Sequence, residues 1–141
     1  MVRIMADENP SILNHVSIAT NRMEDSLSFY DAVLGTVGAA RLVEYPGGVA
    51  YGKAFPEFWV QPQPFDGGQA ETANGIHFSF NAVSSKQVQD FYDAAIANGG
   101  TDDGPPGPRP DYGEPYYGCF VKDPDGHKLE ATFWDENLAE S

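Results

Sequence analysis

HVSIATNRMEDSLSFYDAVLGTVG (His15–Gly38) and HFSFNAVSSKQVQDFYDAAIANGG (His77–Gly100) align without a gap. The alignment sets His15 on His77, Ser17 on Ser79, Phe29-Tyr30-Asp31-Ala32 on Phe91-Tyr92-Asp93-Ala94 and Gly38 on Gly100, always 62 residues apart. A single histidine at the head of a strand says little. A histidine, a four-residue block and a glycine recurring in one register mark an internal repeat, and a repeat sets the architecture before any element is assigned.

Each copy opens on an alternating strand. In Asn14-His15-Val16-Ser17-Ile18 and Ile76-His77-Phe78-Ser79-Phe80, histidine and serine share one face and apolar residues the other. A polar turn and a helix of about 13 residues follow. Met23, Leu27, Tyr30, Val33 and Leu34 form the apolar face of the first helix, and Val88, Phe91, Tyr92, Ala95 and Ile96 that of the second. Gly35 and Gly99-Gly100 close the helices. Three further strands are expected behind each helix: Ala40 to Tyr45, Val49 to Ala54 and Glu57 to Gln61 in the first copy, and a weak segment near Thr101, Tyr116 to Lys122 and Lys128 to Trp134 in the second. DPDGH, Asp123 to His127, is a strong reverse-turn signal between the last two. The expected fold is α+β: two tandem βαβββ modules, about 12–61 and 74–134, packed as a single domain over 1–141. The linker from Pro62 to Asn74 is short, polar and glycine-rich.

The chain has 141 residues, 41% of them hydrophobic, enough for one domain with a real core. Its net charge is -13, with 8 Lys and Arg against 21 Asp and Glu, which argues against nucleic acid or an anionic membrane as partner. Cys119 is the single cysteine, so no intrachain disulfide forms, in keeping with a reducing compartment. The opening MVRIMADENPS lacks the apolar run of a signal peptide, and no window approaches a membrane span. The cytoplasm is the expected location.

Strand alternation then gathers the chemistry. With the apolar faces on the helices, the opposite faces meet across a concave cavity holding His15, Ser17, His77, Ser79 and Asn81. Leu129, Ala131 and Phe133 take the helix side of the last strand, so Glu130, Thr132 and Trp134 face the cavity. Two histidines and a glutamate on three strands suit a divalent ion, imidazole favouring Zn, Ni, Fe or Mn and the carboxylate compensating charge. The competing reading makes them satisfied interior polar groups. A buried glutamate without a cationic partner is costly, and that favours the ion.

In NHVSIAT, SLSFYDAVLG, GIHFSF and DPDGHKLEATF, spanning Leu13 to Trp134, the chain resembles the vicinal oxygen chelate superfamily. That group includes glyoxalase I, fosfomycin-resistance thiol transferases, methylmalonyl-CoA epimerase, extradiol dioxygenases and bleomycin-resistance proteins. The resemblance implies a homodimer, a small-molecule substrate and a divalent metal (Zn, Ni, Fe, Mn or Co) on His15, His77 and Glu130. A fourth ligand often comes from the last strand of module one. In PEFWVQPQ either Trp59 fills that position, leaving three ligands and open sites, or Gln61 does, giving an epimerase-like set.

Asp102 to Gly118, DDGPPGPRPDYGEPYYG, reads as a proline-stiffened rim loop. Its Arg109 is either an anion clamp, with Tyr112 and Tyr117 lining the pocket, or a surface ion-pair partner. Cys119 reads as an inert core thiol, and His127, Asp102-Asp103 and the terminal DENLAES as solvated groups. Two functions follow. One is a metal-dependent enzyme of the glyoxalase type, whether lyase, isomerase, thiol transferase or dioxygenase. An isomerase would need an unligated base, and only Glu130 or the more distant Glu57 is offered. The other is a binder of aromatic or cationic drugs, stacking on Trp59, Trp134, Tyr112 and Tyr117, in which the His/His/Glu set would be dispensable.

Overall fold

The structure is a computed structural model that describes residues 9–135; the expectations placed on MVRIMADE and on ENLAES fall outside the described residues. The repeat is realised twice. Module one runs β1 (Val16–Ala19), α1 (Met23–Gly35), β2 (Ala40–Tyr45), β3 (Gly48–Gly52) and β4 (Phe58–Gln61). Module two runs β5 (His77–Asn81), α2 (Ser85–Ala97), β6 (Thr101–Pro108), a short 3-10 turn (Pro110–Tyr112), β7 (Tyr116–Lys122) and β8 (Lys128–Trp134). Each module builds a four-stranded sheet, ordered β1-β4-β3-β2 and β5-β8-β7-β6. The first strand lies parallel to the last, and the remaining neighbours are antiparallel.

The helices form where the apolar spacing places them. Glu24 and Asp25 lie in the first turn of α1, where the helix dipole favours negative charge. Ser84 caps α2 by accepting from the Gln87 amide, and the Gln87 side chain accepts in return from the Val83 amide. Phe29, Tyr30, Val33 and Leu34 are fully buried, as are Val88, Phe91 and Ala95; Ile96, expected on the apolar face, is exposed. The repeat glycines are kept for different reasons. Gly38 has φ +86, whereas a Cβ on Gly100 would come within 2.9 Å of the Lys122 carbonyl oxygen.

One element differs from its sequence reading. The segment expected to be mostly loop is the eight-residue strand β6, TDDGPPGP. It is the outer strand of its sheet, where a missing proline N–H is tolerated, and its pairing with β7 shifts register twice.

The two modules are joined by apolar and by polar contacts. Helices α1 and α2 pack on each other. Phe58 of β4 meets Phe78 and Phe80 of β5 with ring centroids 5.9 and 5.2 Å apart. The polar contact is the DPDGH turn. Asp123 Oδ1 accepts from the amides of Asp125, Gly126 and His127, closing the turn, while Tyr30 in α1 donates to Asp123 Oδ2 at 2.6 Å. Asp125 accepts from the Thr20 hydroxyl and the Asn21 amide, and Asn21 exchanges two hydrogen bonds with Ala70 of the linker. His127, expected to be solvated, instead donates Nε2–H to the Ala19 carbonyl at 2.9 Å. No helix of the described residues is long and apolar enough to cross a membrane.

Two predictions concern this seam. Tyr30→Phe leaves the buried Asp123 Oδ2 without its partner and is expected to lower stability by about 1–3 kcal/mol in urea unfolding. The Tyr30 hydroxyl is held well above its ordinary value by burial and by Asp123, and Tyr51 is also raised, by burial and by Asp31. Their folded-state values exceed the unfolded ones, so the stability they confer is complete below about pH 10 and is lost as pH rises further. A 295 nm titration should therefore show at least these two of the seven tyrosines ionising only with unfolding.

Candidate functional site

The pleat of β5 and β8 determines what meets what. Ser79 lies opposite Glu130 and Asn81 opposite Thr132, while Phe78, Leu129 and Ala131 turn to the helix side. Glu130 is only 7% exposed. Its Oε1 lies 3.0 Å from His77 Nε2, and its Oε2 accepts from Tyr116 Oη at 2.5 Å and Thr132 Oγ1 at 3.0 Å. Thr132 has one hydroxyl proton and directs it at Glu130, so Ser79 is the donor in the 2.6 Å contact between the two hydroxyls. The tyrosines that the sequence points to for this role are Tyr112 and Tyr117, not Tyr116. The parity of β7 carried the signal: Cys119 and Val121 are core residues, so Tyr117 shares their face and Tyr116 takes the Glu130 face. Tyr117, expected at the pocket, packs against the core and accepts from Gln89.

Module one carries the corresponding surface with different residues. Trp59 lies opposite Ser17, as Glu130 lies opposite Ser79. Gln61 lies opposite Ala19, as Thr132 lies opposite Asn81. The register thus places Trp59, not Gln61, at the position equivalent to Glu130. Trp59 makes edge contacts with His15 and Tyr45, at 6.5 and 6.1 Å between centroids. His15 Nδ1 is 2.7 Å from Asn14 Oδ1, an acceptor, which puts the proton on Nδ1 and leaves the Nε2 lone pair free.

Strands β1 and β5 are free edges of their sheets, and a cavity of about 430 Å³ opens between the modules beside them. His15 and His77 both line it, with Ser79, Asn81, Lys53 and Glu57. His77 and Glu130 adjoin, but His15 does not complete a group with them in which every donor lies within 4.8 Å of the others. Among the described residues such a group is formed by Asp123, Asp125 and His127, whose donors are already engaged in the inter-module turn.

A family model for the glyoxalase/bleomycin resistance protein/dioxygenase superfamily matches residues 12–131. The chain belongs to this superfamily. A glyoxalase/bleomycin resistance protein from Albidiferax ferrireducens is 36% identical, with a TM-score of 0.79 over 87% of this chain and 98% of its own. A glyoxalase-related enzyme from Fulvimarina pelagi is 20% identical, with a TM-score of 0.68 over 89% of this chain and 88% of its own. Lactoylglutathione lyase from Agrobacterium tumefaciens, at 15% identity, has a TM-score of 0.61 over 89% of this chain and 94% of its own, a likeness of fold. No curated protein matches.

Divalent metals are common in the superfamily, and the donors of module two fit one. His77 Nε2 and Glu130 Oε1 are hydrogen-bonded at 3.0 Å, an ion pair when the imidazole is protonated, and an ion held by the same two atoms would take the place of the shared proton. Imidazole nitrogen beside carboxylate oxygen suits Zn, Ni, Co, Fe or Mn.

The remaining candidates have structural partners. Arg109 donates to the carbonyls of Gly118 (2.6 Å), Pro105 (2.8 Å) and Gly107 (3.3 Å), and lies over the Phe120 ring. Pro105, Pro106 and Pro108 have no N–H to offer, so the guanidinium supplies donors that this stretch of β6 lacks. Tyr112 is 55% exposed and rests edge-on against Tyr116 and Phe120. Asp103, expected to be solvated, lies 3.4 Å from Lys128, whose ammonium covers Phe120. Asp102 accepts from the Gly104 amide. Burial pushes the Cys119 thiol up to about 12, and Sγ faces the Val88 carbonyl, the state of an inert core thiol. Arg109→Ala, which strips three carbonyls of a shared donor, is expected to cost about 1–3 kcal/mol in urea unfolding. Arg109→Lys should recover only part of it, lacking the planar fork.

Proposed function

We propose that the chain is a metal-dependent enzyme of the glyoxalase type, acting on a small molecule with adjacent oxygens. The observation that carries the reading is the His77–Glu130 pair, a buried carboxylate whose one oxygen not held by hydroxyls is hydrogen-bonded to an imidazole, two atoms that an ion would share in place of the proton. His77 and Glu130 would hold the ion, with His15 the third ligand from module one. When bound, the ion would supply Lewis-acid polarisation of a substrate oxygen. The chain's own residues bind and orient. Asn14 orients the His15 ring through Nδ1, Tyr116 and Thr132 hold Glu130, and Glu57 and Lys53 add an anion and a cation to the cavity. Glu57 is the cavity carboxylate outside the ligand set, and so the base available to an isomerase or lyase chemistry. A homodimer in the cytoplasm belongs to this reading.

A second reading, a non-catalytic binder of aromatic or cationic molecules, draws on the aromatic cluster of Trp59, Tyr45 and His15 in module one and on the acidity of the chain. Metal analysis of protein purified without added metal or chelator separates the two. The enzyme reading expects near-stoichiometric transition metal in the wild type, a loss of at least about tenfold in affinity for His77→Ala, and a thermal shift with one of Zn, Ni, Mn, Fe(II) or Co. Equal, negligible metal in both proteins with no such shift overturns it and leaves the binder.

A further inference from the structure

We propose that Tyr116 and Thr132 are positioning residues that occupy Glu130 Oε2 and so restrict the carboxylate to a single donor, Oε1, on the His77 side. The proposal rests on the metal reading above and deepens it, because a one-oxygen carboxylate beside an imidazole selects the class of ion.

A free carboxylate offers two oxygens and often spends both on one cation, as larger oxygen-seeking ions such as Ca²⁺ require. Glu130 is not free in this sense. Oε2 accepts from Tyr116 Oη at 2.5 Å and from Thr132 Oγ1 at 3.0 Å, which uses both of its in-plane lone pairs. The two hydroxyls are themselves held. Tyr116 is 3% exposed, and its ring is wedged edge-on between Tyr112 and Trp134, at 5.1 and 6.1 Å. The Thr132 proton is directed at Glu130, which leaves the Ser79 hydroxyl to donate to the Thr132 oxygen from the other side. Strands β7 and β8 thus converge on one oxygen atom, and β5 holds the Thr132 hydroxyl that reaches it. What remains is one carboxylate oxygen hydrogen-bonded to one imidazole nitrogen, and with that proton displaced the two atoms form a set for Zn²⁺, Co²⁺ or Ni²⁺ rather than Ca²⁺ or Mg²⁺. Module one has no such device, since Trp59 replaces the carboxylate at the equivalent position.

The test loads apo protein with Co²⁺, whose visible d–d bands report coordination number, and measures Co²⁺ and Ca²⁺ affinity by chelator competition. The proteins are the wild type, Tyr116→Phe, Thr132→Val, the double variant and Thr132→Ser. Freeing Oε2 in the double variant is expected to weaken the Co²⁺ bands, to reduce Co²⁺ affinity about tenfold or more and to narrow the preference for Co²⁺ over Ca²⁺. Thr132→Ser, which keeps the hydroxyl, is expected to retain the wild-type spectrum, a rescue that a merely structural role would not produce. If Tyr116→Phe fails to fold, Thr132→Val against Thr132→Ser carries the comparison by the same bands. Co²⁺ spectra and affinities equal to wild type in the folded variants overturn the proposal while the metal reading stands. A wild type that takes up no Co²⁺, Zn²⁺ or Ni²⁺ overturns the metal reading and this proposal with it.

Discussion

One buried carboxylate determines how the halves of this chain face each other. Asp123 is 3% exposed, and burial raises its affinity for a proton. It is retained because three amides of its own turn and the Tyr30 hydroxyl of the other module converge on it. Through Asp125 and His127 the same turn grips Ala19, Thr20 and Asn21, the residues leading from β1 into α1. The end of β1 is therefore fixed relative to β8. Since His15 precedes β1 and Glu130 lies in β8, the separation of the candidate ligands is set by a turn that touches neither. Aromatic packing of Phe58 on Phe78 and Phe80 supplies apolar cohesion, but packing of that kind tolerates sliding. A hydrogen-bonded carboxylate does not.

The two modules show how a duplicated scaffold divides its chemistry. The strand pairings superpose in register, yet the position opposite the serine is Glu130 in one module and Trp59 in the other. The first is surrounded by hydroxyls and an imidazole, the second by aromatic edges. The same backbone position thus carries a charged group in one module and an aromatic one in the other.

Much of this was legible in the sequence, because periodicity and repetition are local signals. Both helices, four strands with the expected bounds or nearly so, and the faces of β1, β5 and β8 follow from alternation and from the 62-residue offset. The misreadings have physical causes. TDDGPPGP has the composition of a loop and becomes a strand because an outer position and the Arg109 guanidinium make up for its missing donors. His127 and the adjacent aspartates look like a solvated turn because their partners are about a hundred residues away in the chain. Tyr116 and Tyr117 are neighbours of the same type, and only the parity of β7 tells them apart. The two candidate histidines could be read from a repeat, whereas the hydroxyls of Tyr116 and Thr132 that hold Glu130 come from strands with no repeated signature.

The composition of β6 has a further consequence. A sheet whose last strand offers a row of unused N–H and C=O groups invites another sheet to join it, the first step toward insoluble assemblies. Here that strand carries three prolines, two register breaks and two aspartates, and Arg109 turns back onto its carbonyls. At the far side of the other sheet, β2 presents Arg41 and Glu44, joined to each other and to Asp31. Both outer borders are thereby made poor templates for strand addition. The open backbone edges of β1 and β5 border the cavity between the modules.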